Sequence, residues 1–102
     1  MSDKVRSLAA RLENYTLTHP QEVLLIQAQI EGEPDTIVIF KGFSSSLARA
    51  TAFDPEVPVL PSSAVITEIE RLQGPYQPQS PQYIERNISL SDFLQRLSAD
   101  GL

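Results

Sequence analysis

The chain has 102 residues, the usual size of one compact domain and too few for two, and its 41% hydrophobic content suffices for a core without a disulfide or metal. It has no cysteine, which excludes disulfides, thiolate nucleophiles and cysteine-ligated zinc or iron–sulfur centres. Eight basic residues against thirteen acidic ones give a net charge of −5, the wrong sign for a surface that neutralises nucleic-acid phosphates.

The first twenty residues, MSDKVRSLAARLENYTLTHP, scatter charges throughout and lack the continuous apolar stretch of a secretory signal. They read as an amphipathic helix over residues 3–16, with Ser2 as N-cap and Val5, Leu8, Ala9, Leu12 and Tyr15 or Thr16 on one face. Thr18, His19 and Pro20 end it, because the residue before a proline is pushed out of helical geometry. Mixed charge and modest apolar residues favour packing on a core, with peripheral membrane association as the alternative. The longest apolar runs, Val23 to Ile26 and Ile37 to Phe40, fall far short of the roughly 20 residues that span a bilayer.

Two β-segments follow, Glu22 to Ile30 and Thr36 to Phe43, rich in Val and Ile and separated by EGEPD, which predicts a hairpin. Ile26, Ala28 and Ile30 alternate with Gln27 and Gln29, so the far half of the first strand is wet on one side, while Val23 to Ile26 is apolar on both. In the second strand Ile37 and Ile39 face one way and Val38 and Phe40 the other, the pattern of a central strand buried on both faces. Ala64 to Leu72 is a third strand, with Val65 and Ile69 on one side and Glu68 and Glu70 on the other, before Gly74-Pro75 breaks it. Tyr83 to Ile88 is a weaker fourth element. The last is a helix over residues 90–99, capped by Ser89 with Asp92 at its third position, striped by Leu90, Phe93, Leu94 and Leu97, and ended by Gly101.

The prolines have their own rhythm: Pro55, Pro58 and Pro61 are spaced by three, as are Pro75, Pro78 and Pro81. Polyproline II has three residues per turn, so each triplet aligns along one ridge. DPEVPVLP has acids rather than the usual flanking base, which favours a stiff crossover over a docking ligand; Val57 to Leu60 within it is a possible short edge strand. GPYQPQSP offers Tyr76, Pro78 and Pro81 as the better interaction surface.

Chemistry finds little purchase. A serine-hydrolase elbow needs G-x-S-x-G with a histidine and an acid, and FKGFSSSL lacks the second glycine; nothing in the sequence brings the sole histidine, His19, to its serines. A phosphate loop needs G-x-x-x-x-G-K-S/T, whereas Lys41 here precedes a single glycine. Small hydroxyls shape turns, and Ser44 is suited to cap a short helical turn through Leu47, Ala48 and Arg49. As a secondary reading, Lys41, Ser44, Ser45, Ser46 and Arg49 form an anion or partner contact. Glu68 and Glu70 stand about 7 Å apart on one strand face and read as solvated charges rather than an acid–base pair. Glu31, Glu33 and Asp35 surround a turn without a metal motif. No catalytic residue, metal or cofactor is assigned.

The stretches EVLLIQAQIEGEPDTIVIFKGFSSSL, TAFDPEVPVLPSSAVITEIERLQGPYQP and PQYIERNISLSDFLQRL together resemble a small uncharacterised protein family of cyanobacteria and plant chloroplasts. Its signatures fall on Phe40 to Ser46, Asp54 to Pro61, Ile66 to Tyr76 and Tyr83 to Glu85. The resemblance covers nearly everything after Gln21 and implies an association with photosynthetic cells, without supplying a reaction or catalytic residues. A transit peptide is not evident, which fits a cyanobacterial rather than a nuclear-encoded plastid protein.

The expected architecture is a single α+β domain over residues 1–102: an antiparallel sheet of three to four strands within residues 22–88, with an SH3-like half-barrel as its more coiled form, covered by the two terminal helices. The expected function is a non-enzymatic protein-binding or assembly module of photosynthetic cells, cytoplasmic or peripheral to the thylakoid membrane, with an unidentified protein partner and no nucleic acid. The alternative is a small ligand-binding domain or enzyme using the serine-rich turn and Arg49. The connection from Phe43 to Ser63 has no evident secondary structure, which is uncommon for so long a stretch inside a compact domain.

Overall fold

Two dipeptides set the strand boundaries. Glu31-Gly32 and Lys41-Gly42 have φ of 55° and 81°, and of 51° and 80°, positive at both positions as the two-residue type I′ hairpin turn requires. The computed structural model, which describes residues 7–47, 59–61 and 63–102, accordingly folds β1 (Glu22–Ile30), β2 (Glu33–Phe40) and β3 (Phe43–Ser46) into a continuous antiparallel meander. The expected EGEPD loop therefore shrinks to two residues. Pro34 lies within β2, on the stretch before β3 begins to pair at Ile37, where a missing N–H has no strand to donate to.

The expected strand from Thr36 to Phe43 is thus two strands: the chain reverses at Lys41-Gly42, and the serines run back along the edge of the sheet. β4 (Val65–Gln73) pairs with the other side of β1, and β5 (Tyr83–Ile88) pairs with β4, giving the order β3-β2-β1-β4-β5, antiparallel throughout. The sheet has five strands instead of three to four, and it is open, with β3 and β5 at opposite edges rather than coiled toward closure.

α1 (Leu8–Thr18) begins later than expected, capped by Ser7, whose Oγ accepts from the Ala10 amide at 3.1 Å; Ser2 and Val5 lie outside the described residues. It runs two residues past Thr16 and closes when the His19 amide donates to the Tyr15 carbonyl at 3.0 Å. α2 (Leu90–Ala99) has its expected bounds. Ser89 Oγ accepts from the Asp92 amide at 3.1 Å, and Gly101 takes φ 77° past the helix end, where the Leu102 amide returns to the Leu97 carbonyl at 2.7 Å.

Both helices cover one face. Leu12 and Tyr15 from α1 and Phe93 and Leu97 from α2 meet Leu24, Ile26, Ile37, Ile39, Ile69 and Ile88 from the sheet in one buried cluster, each large side chain contributing roughly 1.5–3 kcal/mol by leaving water. Leu60 joins it from the crossover, where Val59 and Leu60 form a bend; Val57 and Pro58, the other half of the expected edge strand, lie outside the described residues. Pro55 and Pro58 of the first proline triplet lie outside the described residues.

β4 corrects a parity error. Gln27 pairs with Glu68 but Ala28 with Ile66, so Thr67 is an extra residue and the alternation flips across it. Ile66 and Ile69 consequently both pack with the helices, and Val65, expected beside Ile69, is 62% exposed. Chemical denaturation checks this: Ile69→Ala is expected to cost about 2–5 kcal/mol and Val65→Ala less than about 1 kcal/mol. Similar losses at the two positions contradict the bulge.

Candidate functional site

The helix-free face of the sheet is built in three rows, because cross-strand partners share a face. Phe43, Phe40, Val23, Leu72 and Tyr83 are successive partners across all five strands, so one apolar row crosses the whole sheet. The next row is Ser45, Val38, Leu25 and Glu70, the last ion-paired with Arg86 of β5. Thr36, Gln27 and Glu68 form the third and are polar. The face therefore grades from apolar to polar along β1.

The loop after β4 covers the middle of the apolar row. Gly74 donates to the Gln21 carbonyl at 2.7 Å and lies so close to the Phe40 ring that a Cβ there would sit 2.6 Å from it, a contact only glycine avoids. The chain then places Tyr76, like Phe40, against the buried cluster of Val23, Leu25, Val38 and Leu72. Val23 and Leu72 are sealed, while the ends of the row stay open: Phe43 is 76% exposed and Tyr83 40%. Tyr76 is half-buried rather than projecting; Pro78 is exposed and Pro81 half-buried.

Of the residues singled out by sequence, Lys41 places its Nζ 5.3 Å from the Phe40 ring centroid, and Tyr76 packs against the same buried cluster that Phe40 flanks. Ser45 shares that face; Ser44 and Ser46 turn to the helix side. Ser44 Oγ donates to Glu13 Oε2 at 2.7 Å, and Ser46 Oγ contacts both carboxylate oxygens of buried Asp35 at 2.9 and 2.8 Å. The Gly42 amide donates to Thr16 Oγ1 at 2.8 Å. These bonds fasten β3 and its turn to α1 and β2; Ala48 and Arg49, on which the helical turn expected after Ser44 falls, lie outside the described residues. His19 stacks on Tyr15 with centroids 4.1 Å apart, and its Nδ1 lies 3.0 Å from both the Tyr15 carbonyl and Thr18 Oγ1, whereas the acids meeting the serines are Glu13 and Asp35. An apolar groove of about 380 Å³ lies between Leu8 and Ala9 of α1 and Leu60, Pro61, Ala64 and Ile66, and no serine of the run lines it. Among the described residues no three metal-ligating side chains converge.

Glu68 and Glu70 do share a face, but Glu70 is only 3% exposed, not the solvated charge expected. Arg86 Nε donates to its Oε2 at 3.0 Å and Gln27 Nε2 to its Oε1 at 3.3 Å, and Gln27 Oε1 accepts in turn from Thr36 Oγ1 at 2.7 Å. A hydrogen-bonded line thus crosses β2, β1, β4 and β5 beside the apolar row.

On the helix side, Arg71 grips Glu22 with two bonds of 2.9 and 2.8 Å and reaches Glu85 at 3.0 Å, and Arg96 of α2 makes two further bonds to Glu85 at 2.7 and 2.6 Å. Tyr15 donates to Glu22 at 2.8 Å, and burial, with that bond, pushes its hydroxyl up to about 12. Hydrogen bonding from Arg71 holds Glu22 below its ordinary value, and Arg96 first, then Arg71, hold Glu85 at about 2. This network joins α1, three strands and α2 with every carboxylate occupied by a cation; its role is structural.

Sequence reading missed the apolar row. Its signal was Phe40 and Phe43 on either side of Lys41-Gly42: a two-residue turn there makes them cross-strand partners. A family model described as "Domain of unknown function (DUF7734)" matches residues 9–97. No curated protein and no solved structure matches the chain.

The Glu85 bonds predict a pH dependence. The folded-state value of about 2 lies below the ordinary 4.5, so the unfolded chain binds the proton more readily in that interval, and the stabilisation, present above 4.5, is lost as pH falls toward 2. Thermal melts across this range are expected to lose a smaller increment for Glu85→Gln than for the unmodified chain; parallel curves contradict the assignment.

Proposed function

The chain belongs to the DUF7734 family, and we propose that it is a non-enzymatic protein-docking module whose contact surface is the helix-free face of the sheet. The observation that carries this reading is the apolar row with unsealed ends: Phe43, 76% exposed on the face opposite α1 and α2, next to Phe40 and in line with Tyr83. Scattered exposed apolar residues are ordinary, but aromatics aligned across a rigid sheet are the anchors that interfaces use, since their few rotatable bonds cost little entropy on binding. The loop bearing Tyr76, Pro78 and Pro81 borders the same surface, so the residues singled out there become its rim.

The resemblance to a cyanobacterial and chloroplast family supports a setting in photosynthetic cells, in the cytoplasm or at the thylakoid surface. The reading of the serine run as a ligand or catalytic site is the weaker one. Ser44 and Ser46 are already committed to Glu13 and Asp35, and their hydroxyls face the helices instead of an open cleft.

Affinity capture with the tagged full chain from an extract of photosynthetic cells tests the docking reading. The double variant Phe43→Ser, Tyr83→Ser is expected to lose at least 90% of whatever the unmodified chain retains, roughly a tenfold weakening or more, with an unchanged melting temperature. Leu17→Ser, a control at an apolar position 58% exposed on α1, is expected to retain it. Identical capture by the double variant and the unmodified chain rejects the surface.

A further inference from the structure

We propose that Arg86 is the specificity element of this face: a pre-oriented guanidinium that receives a carboxylate from an acidic side chain on the same partner segment that covers the apolar row. The inference rests on the docking reading above and names the chemistry of the partner.

The argument starts with the backbone of β5. Ile69 pairs with Ile88 and Arg71 with Glu85, so β5 spends one more residue than β4 over this interval, and Asn87 takes φ 60° there. Asn tolerates that left-handed conformation, and bulges of this kind re-aim a neighbouring side chain. The result splits two adjacent charges. Glu85 goes to Arg71 and Arg96 on the helix side, and Arg86 goes to Glu70 on the open face.

Arg86 is then held at two points and free at the rest. Its Nε is bonded to Glu70 at 3.0 Å, and its guanidinium carbon lies 4.1 Å from the centroid of Tyr83, the last residue of the apolar row. Neither Nη makes a hydrogen bond among the described residues, and the side chain remains 55% exposed. An arginine fixed through Nε and a ring face keeps two parallel N–H donors for a carboxylate, in a geometry that lysine cannot reproduce.

Glu70 makes the case sharper. Burying a carboxylate to 3% exposure strips it of water at a cost that one ion pair does not reliably return. Leu25 is the cross-strand partner of Glu70 on β1 and Leu72 follows two residues along β4 on the same face, so an apolar residue at this position would extend the core. What the carboxylate adds is orientation of Arg86.

Charge complementarity selects the occupant. Lys41 sits by Phe40 at one end of the row and Arg86 by Tyr83 at the other, so the row is bracketed by cations although the chain as a whole is acidic. The exposed acids Glu31 and Glu33 lie at the β1–β2 turn, roughly 20 Å away along β1 at 3.3 Å per residue. Glu68, half-buried on this face, is itself engaged: with the Asn87 amide turned to present its nitrogen, its two oxygens accept from that nitrogen at 3.3 Å. A peptide segment that combines apolar side chains with an Asp or Glu matches this surface.

The test is selection of randomised displayed peptides on the immobilised full chain, followed by affinity measurement of a selected peptide and of its acid-to-amide analogue. Selected peptides are expected to pair aromatic or aliphatic residues with an acid. Removing that acid is expected to weaken binding about tenfold for the unmodified chain and not at all for Arg86→Gln. Arg86→Lys is expected to recover only part of the affinity. Because Arg86→Gln leaves Glu70 without its cation, the double variant Glu70→Gln, Arg86→Gln serves if the single variant melts early. Peptides that require Phe43 but lose equally on acid removal with and without Arg86 overturn the inference and leave the docking reading standing. Peptides indifferent to Phe43→Ser overturn the docking reading, and no enrichment at all overturns both.

Discussion

Everything on this molecule's open surface follows from a mismatch of supply. β1 and β2 are apolar on both faces at one end of the sheet, but the two helices among the described residues, α1 and α2, both pack on the same side. Among the described residues, the other face takes its cover from the loop between β4 and β5. Tyr76 reaches the centre of the exposed row from that loop and seals Val23 and Leu72, but one side chain cannot extend to both edges. The aromatic ends left in water are a direct consequence of where the helices went.

Much of this was legible in the residues. The alternation of Ile26, Ala28 and Ile30 with the glutamines, the two-sided burial of Ile37 to Phe40 and the capped α2 all follow from period two, period 3.6 and a serine in the right place. The strand count failed for a local reason. Lys41 reads as part of a strand because lysine seldom takes positive φ, and only the following glycine announces the I′ turn. Once that turn is missed, the serine run looks like a loop instead of an edge strand, and the Phe40–Phe43 pairing disappears with it.

Other failures had no local signal. A bulge at Thr67 reverses the facing of Val65 through register with β1, which is a tertiary fact. Likewise Glu70 reads as a surface charge in sequence, because nothing near it in the chain reveals that Arg86 and Gln27 will converge on it from the strands on either side. The site was therefore half readable: Lys41 and Tyr76 were named, while the row they border and the arginine beside it required the strand order.

The irregular course of β5 also governs the direction from which anything can approach. It meets β4 with extra residues on both sides of Glu85 and a left-handed kink at Asn87, so its outer rim offers no evenly spaced ladder of amides and carbonyls. At the opposite rim, β3 is only four residues long. Lengthening the sheet by another strand is therefore discouraged at both borders, and a visiting chain is steered to lie flat across the pleats, over rings and guanidinium, rather than to zip alongside.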